Sequence, residues 1–188
     1  MPSPVPRAGT QPRYLQLYEV LRRGEATRTL PLEDYFLDYG HQDRRPGEFV
    51  EAVVVPKVPD GQVFRLFKLS KRFDQDISAV SAGISLAVED GRVRSARIAF
   101  GGMAATPKRA MAAEAALVGQ PWTEASAREA ARALAKDFQP ISDLRASAGY
   151  RLAAAGALLV KTVLEAEQPA APRLMDLQPL SPEALDHG

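Results

Sequence analysis

The 188-residue sequence contains no cysteine. That excludes disulfides, thiolate zinc sites, iron–sulfur ligation and a cysteine nucleophile within the chain. Histidine is almost as scarce. His41 lies in a polar stretch and His187 near the end, and neither has a histidine or carboxylate at ligand spacing, so both read as surface residues and no metal site is expected. No Gly-x-Ser-x-Gly elbow is present for serine catalysis, and no Gly-x-Gly-x-x-Gly or Gly-x-x-x-x-Gly-Lys-Ser/Thr loop is present to cradle a phosphate. An excess of one charge is missing too: 24 basic and 23 acidic residues leave a formal charge of +1, which gives nucleic acid or an anionic membrane no global field to respond to. No stretch approaches the roughly 20 apolar residues of a membrane span, and residues 1–13 hold no apolar run of the roughly 7–15 residues that a secretory signal needs. A soluble cytoplasmic protein is the expectation.

What is present divides the chain by composition. Residues 1–20 open with a proline-rich, aperiodic stretch, expected to be disordered or irregular, although apolar positions from Tyr14 to Leu21 favour a strand. Residues 21–30 place Gly24 between polar arms, as in a hairpin. Leu32, Tyr35, Phe36 and Tyr39 then fall at helical spacing before Gly40, predicting a short helix or 3₁₀ turn with an aromatic face. Phe49 to Val55 has the composition of a buried strand, Val63 to Leu69 of a second, Ile77 to Val88 of a third and Val93 to Phe100 of a fourth, with Asp90-Gly91 as a tight hairpin turn. Strands joined by short turns predict an antiparallel sheet.

After Gly101-Gly102, a pair expected at a strand exit where a side chain would clash, the chain becomes alanine-rich. Thr106-Pro107 reads as the start of a first helix with Ala110, Ala113 and Leu117 on its buried stripe. Thr123 reads as the cap of a second with Ala127, Ala130, Ala131, Leu134 and Phe138 inward, and Ser147 to Leu164 as a third with Leu152, Ala155, Leu159 and Val163 inward. Trp122 reads as a helix staple or a core plug, and Tyr150-Arg151 as a clamp on a helix terminus. The predicted class is α+β, an antiparallel sheet of three to four strands covered by three C-terminal helices. From Gln168 a loose proline-rich tail is expected.

Chemistry concentrates in LFKLSKRFDQDISAV, residues 66–80, an unusual density of charge between two strands. Asp74 and Asp76 would share a side if the segment were extended and could act as a carboxylate pair; the simpler account is that Lys71 and Arg72 neutralise them on a solvated connection. Lys68 stands inside an apolar run, where a lysine belongs on the solvent face.

The succession LPLEDYFLDYG, RPGEFVEAVVVP, FKLSKRFDQDISAV, ARIAFGGMAATPKRA and DLRASAGYRLAAAGALL resembles the flavin-carrying part of the molybdenum hydroxylases, in particular of the xanthine dehydrogenase small-subunit kind, from about Leu21 to Leu164. The resemblance implies residues 21–58 as the C-terminal remnant of an FAD-binding domain and residues 62–167 as a carbon-monoxide-dehydrogenase flavoprotein C-terminal-type domain, followed by the tail at 168–188. It implies electrons passing from a molybdenum cofactor through iron–sulfur clusters to FAD and on to NAD, with the molybdenum-binding large subunit and the iron–sulfur region as partners. It implies Lys68 as an FAD contact, Val50 as an apolar residue of the flavin site, and Lys71, Arg72, Asp74 and Asp76 as a charged loop beside the flavin. The family's glycine- and asparagine-rich pyrophosphate loops should precede Leu21 by a long way. A chain that is a fragment or a separately encoded piece, holding FAD weakly or not at all by itself, is therefore expected. The rival expectations are a non-catalytic docking domain and a nucleic-acid-binding module using the arginine-containing start.

Overall fold

A computed structural model describes residues 18–167; the expected irregular start and tail, together with His187, fall mainly outside these residues. β1 (Tyr18–Arg23) turns through Gly24-Glu25 into β2 (Ala26–Pro31), with Arg23 opposite Ala26, so the predicted hairpin is present and the segment left open at the start is a strand from Tyr18. α1 (Leu32–Tyr35) is one turn only. Phe36 already opens β3 (Phe36–Asp38), which pairs with β4 (His41–Gln42), and Tyr39 is 86% exposed. The aromatic helical face is thus corrected to a buried Tyr35 meeting Phe36 edge-to-face at 5.0 Å, because one helical turn cannot carry the row to Tyr39.

β5 (Phe49–Val54) joins β1, giving an antiparallel sheet in the order β2-β1-β5. It is a strand as expected, but every one of its residues is exposed, where the composition predicts burial. It also shares no ladder with the next strand, which belongs to a second sheet. Composition reports what a strand is suited to lie against; it cannot say whether that surface is present. An Arg28 guanidinium ties this first sheet to the loop before β5, donating to both carboxylate oxygens of Glu48 at 2.9 and 2.8 Å and to Asp43 at 3.1 Å. That partner holds Glu48 down at about 2.

The second sheet runs β6 (Val63–Leu69), β7 (Val80–Glu89), β8 (Arg92–Gly101) and β9 (Lys108–Arg109), antiparallel throughout. The β7–β8 turn has Asp90 and Gly91 at φ of +51° and +70°, the left-handed pair that such a turn requires. Strand periodicity sends Val80, Ala82, Ile84 and Leu86 of β7 and Ala96, Ile98 and Phe100 of β8 to one face, all buried. Against that face pack α2 (Met111–Leu117), α3 (Glu124–Asp137) and α4 (Ala148–Glu167). The α+β architecture with helices over one face of an antiparallel sheet is as predicted.

Thr123 caps α3 by accepting from Ser126 N, and the predicted inward residues Ala113, Leu117, Ala127, Ala130, Leu134, Phe138, Ala155, Leu159 and Val163 are buried. Thr106-Pro107 does not start α2. Pro107 precedes β9, and the helix begins four residues later behind Ala110, whose N–H is taken by Ile98 O across the sheet. Trp122 packs half-buried against the core. Glu114 of α2 is buried, receiving Ile98 N at 2.8 Å and the Arg109 guanidinium at 2.5 and 3.1 Å. Glu33 of α1 reaches the second sheet, 3.4 Å from Arg97 and 3.6 Å from Arg109.

Candidate functional site

The face of the second sheet turned away from the helices carries small residues along β7 and at the end of β8, with Phe64 and Leu66 of β6 and Arg97 of β8 on the same face. Opposite the buried row of β7 come Ser81, Gly83 and Ser85, and β8 adds Ala99 and Gly101. Gly101 stands opposite Ser81, and a Cβ there would lie 2.5 Å from Ser81 Oγ, so only glycine keeps this surface flat. Lys68 is on the same side of β6 as Phe64 and Leu66, which are 40% and 70% exposed, and its register partner is Ser81. Among the described residues its ammonium has no hydrogen bond or ion pair. The result is an uncommitted cation at the edge of a bare, shallow floor.

Beyond Leu69 the chain leaves the sheet and returns at Val80, the loop being closed by Ala79 N donating to Leu69 O at 2.7 Å. The third strand therefore starts three residues later than expected, and Ile77 is 65% exposed in the loop. Asp74 and Asp76 are not an extended carboxylate pair. Gln75 between them has φ of +49°, which turns the chain; Asp74 accepts from Gln75 N at 2.8 Å, while Asp76 accepts from Arg72 N at 2.9 Å and lies 3.5 Å from the Arg72 guanidinium. The Arg72 N–H and then its charge hold Asp76 below the usual carboxylate range. Lys71 neutralises neither aspartate: its Nζ donates to Leu144 O at 2.8 Å. Phe73, 91% exposed, forms the tip.

The base of this loop is held by a residue whose role the sequence did not reveal. Arg151, 3% exposed, sends Nη1 to Ala79 O and to Gly102 O at 2.7 Å, and Nη2 to Asp143 at 2.7 Å. It clamps two loops and a strand exit, not the helix terminus that its position suggested. Asp143 also receives Arg145 N and Ala146 N at 2.9 and 3.1 Å, and those donors, with Arg151, keep it at about 2. Gly102 has φ of +78°, and a Cβ on it would sit 2.6 Å from Ala79 O, so the strand-exit reading of the glycine pair is correct and the close approach belongs to the clamp. Residues 70–79 are thus anchored at both ends on residues 143–151, around a cavity of about 460 Å³ lined by Ser70, Lys71, Ala79, Leu144, Arg145 and Tyr150. The spacing of Asp143 and Arg151 carries no recognisable signal, because their contact is made through a loop and a helix turn.

The structure gathers Lys71, Arg72, Asp74 and Asp76 into one loop directly after the strand of Lys68. Val50 stands apart, on β5 of the other sheet opposite Leu21, and is 37% exposed. His41 is exposed in β4, and no group of three or more potential metal ligands occurs among the described residues. No helix of the described residues is long and apolar enough to cross a membrane.

Residues 65–166, more than half of the chain, match the family described as CO dehydrogenase flavoprotein C-terminal domain. The chain belongs to this family. Within it, the chain is 30% identical over 109 residues to xanthine dehydrogenase of Oryza sativa subsp. japonica, covering 56% of this chain and 8% of that protein. It is 30% identical over 139 residues to the nicotine 6-hydroxylase medium subunit of Paenarthrobacter nicotinovorans, covering 74% of this chain and 48% of that one. Carbon monoxide dehydrogenase from Hydrogenophaga pseudoflava superposes with a TM-score of 0.75 at 28% identity, over 84% of this chain and 55% of that chain. Quinoline 2-oxidoreductase from Pseudomonas putida 86 gives 0.72 at 26%, over 85% and 55%. The chain therefore spans about half the length of the medium subunit and of these solved chains, and under a tenth of the plant enzyme. A flavoprotein-type member of the molybdenum hydroxylases is what these likenesses establish.

Proposed function

We propose that this chain is the C-terminal part of the flavoprotein component of a xanthine-dehydrogenase-type molybdenum hydroxylase, supplying one wall of an FAD site through which electrons pass from iron–sulfur clusters to NAD. The observation that carries the reading is Lys68, an unpaired ammonium beside the flat floor of Ser81, Gly83 and Gly101 and next to the anchored charged loop. A planar ring system needs a floor without protruding side chains, and a lysine without a carboxylate partner can receive negative charge. The residues present fit one side of such a site; the described residues include no glycine-rich turn that would hold a pyrophosphate.

FAD, when bound, supplies the capacity to take up two electrons and release them to an acceptor. Lys68 would then stabilise negative charge at the site, and Val50, exposed on β5, would give it an apolar border. Lys71 and Arg72 are committed to Leu144 O and Asp76, so their part is to fix the loop rather than to touch a ligand. Asp74, whose one hydrogen bond is to the adjacent backbone, is the carboxylate left to set the potential at the rim where a nicotinamide acceptor would approach. A molybdenum-binding large subunit and an iron–sulfur subunit would complete the path, in line with a relative named as a medium subunit. The rival reading, a docking domain without flavin, draws on the exposed apolar β5.

The test is FAD affinity in the assembled protein with Lys68→Ala. A loss of about tenfold, the size of one charge-assisted contact, is expected with unfolding unchanged; equal affinity and equal NAD reduction would remove Lys68 from the site. The chain by itself should hold FAD weakly or not at all, and a stoichiometric yellow protein would overturn that part.

A further inference from the structure

A second cavity lies between the two sheets, away from Lys68 and Val50, neither of which lines it. Its volume is about 460 Å³, inside the roughly 300–1,000 Å³ range of small-molecule sites. One wall is α1 and the chain after it, with Leu32 and Phe36; another is Val55 to Val58; the floor is the open face of the second sheet, with Phe64, Leu66 and Gly83. These walls are apolar. Of the charged residues lining it, Arg97 and Arg109 lie 3.4 and 3.6 Å from the one lining carboxylate, Glu33, and the Lys108 ammonium turns away to the helices.

Those three cations differ in what they already hold. Arg109 is taken by Glu114 at 2.5 and 3.1 Å, and Lys108 donates to Asp137 O at 2.8 Å. Arg97 has one hydrogen bond, a long one of 3.4 Å to Glu33, and its Nη1 is shielded from solvent without a partner among the described residues. Glu33 is itself shared with Arg109 at 3.6 Å and is 40% exposed, so it compensates Arg97 incompletely. A guanidinium with a shielded, unfilled donor in the wall of an apolar cleft is a chemical preference for an anion attached to an apolar body. Burial and the facing Arg109 push Arg97 below its ordinary value, the electrostatic counterpart of that missing partner.

We propose that this inter-sheet cleft binds a small amphipathic carboxylate, its apolar body on Leu32, Phe36, Phe64 and Leu66 and its anionic head at Arg97. The site shares Gly83 and the open sheet face with the flavin reading, but Lys68, Val50 and the charged loop do not line it. Its place between α1 and the second sheet means that an occupant would also join the two halves of the molecule, reinforcing the Glu33 bridge.

Octanoate is a suitable probe, titrated calorimetrically into the full chain, with octan-1-ol as the uncharged counterpart. Saturable one-site binding is expected for octanoate, at least about tenfold tighter than for octan-1-ol, the range of one charge-assisted hydrogen bond. Arg97→Met should remove that difference and Arg97→Lys should restore part of it. Gly83→Val should abolish binding of both probes while leaving the fold intact: a Cβ on Gly83 makes only an ordinary 3.5 Å contact with Leu66, so the added methyls project into the cleft. Lys68→Ala should leave octanoate binding unchanged. No saturable binding, equal affinity in Arg97→Met, full binding in Gly83→Val, or loss of binding in Lys68→Ala would each overturn the proposal, the last by making the cleft part of the flavin wall.

Discussion

The two sheets are both antiparallel, and their situations are opposite. In the second, strand alternation is matched by three helices, and Val80, Ile84, Leu86, Ile98 and Phe100 are each no more than 1% exposed. In the first, Leu21 is the only apolar strand residue buried among those described, and Phe49, Val50, Val53 and Val54 of β5 lie 37–51% exposed. The first sheet is held instead by polar contacts, Arg28 to Glu48 and Asp43 on one side and Glu33 to Arg97 and Arg109 on the other. A packed layer is stabilised by its own burial, whereas a sheet with an apolar open edge strand has the composition of an interior without the cover. The second sheet has its apolar cover among the described residues and the first does not; the chain spans about half the length of the medium-subunit relative and of the solved chain it matches.

That contrast can be broken most forcefully in the second sheet. Phe100→Ala, which empties the position where Phe100 meets Phe138 edge-to-face at 5.7 Å, should cost about 3–5 kcal/mol in denaturant unfolding. A cost below about 1 kcal/mol would mean that this layer is not the stabilising core. Next comes the clamp. Arg151→Met leaves Ala79 O, Gly102 O and Asp143 without their donor and should cost about 3 kcal/mol. It should also speed amide exchange in residues 70–79 and 143–147, whereas unchanged exchange in both loops would separate them.

Acid should distinguish the halves without mutation. Glu48 has its folded value lowered from 4.5 to about 2 by Arg28, so its contribution is fully present above pH 4.5 and is lost as pH falls toward 2. Asp143, lowered from 3.8 to about 2 by the Ala146 and Arg145 N–H groups and Arg151, follows the same sign below pH 3.8. The first sheet has little burial to fall back on, so exchange in β2 and residues 43–48 should rise before that in β7 and β8. Simultaneous loss would show the halves to be one cooperative unit. The smallest effect belongs to β5: Val53→Ala should change the stability of this chain by less than about 0.5 kcal/mol. If the proposed flavoprotein assembly covers β5, the same substitution should cost about 1 kcal/mol or more there.

Much of the fold was legible because it rests on local chemistry. The Asp90-Gly91 turn needs two residues tolerant of positive φ, Thr123 offers an oxygen to a helix N-terminus, and alternation in β7 and helical spacing in α3 name their inward residues directly. The readings that changed depended on the path the chain takes, which residue type and spacing do not fix. Thr106-Pro107 carries helix-start chemistry, yet the chain first adds β9 to the sheet. Asp74 and Asp76 look paired at a spacing of two, yet the turn at Gln75 separates them. The charged loop itself was visible as a density of charge, and its family resemblance drew attention to Lys68. Arg151, Asp143 and the Arg97 cleft were not visible, since an arginine in a helix gives no sign of which carbonyls or cavities it will meet.

The sequence by itself determined which residues face inward, where the turns fall and that the chain has no thiolate with which to ligate an iron–sulfur cluster, because each follows from the composition and spacing of the chain. Only the tertiary structure decided that β5 would lie open, that Lys71 and Arg151 would tie the charged loop to residues 143–151, and that Arg97 would be left short of a partner. Exposure, anchoring and unmet hydrogen bonds are properties of surfaces brought together, and no single segment contains both of the surfaces that meet.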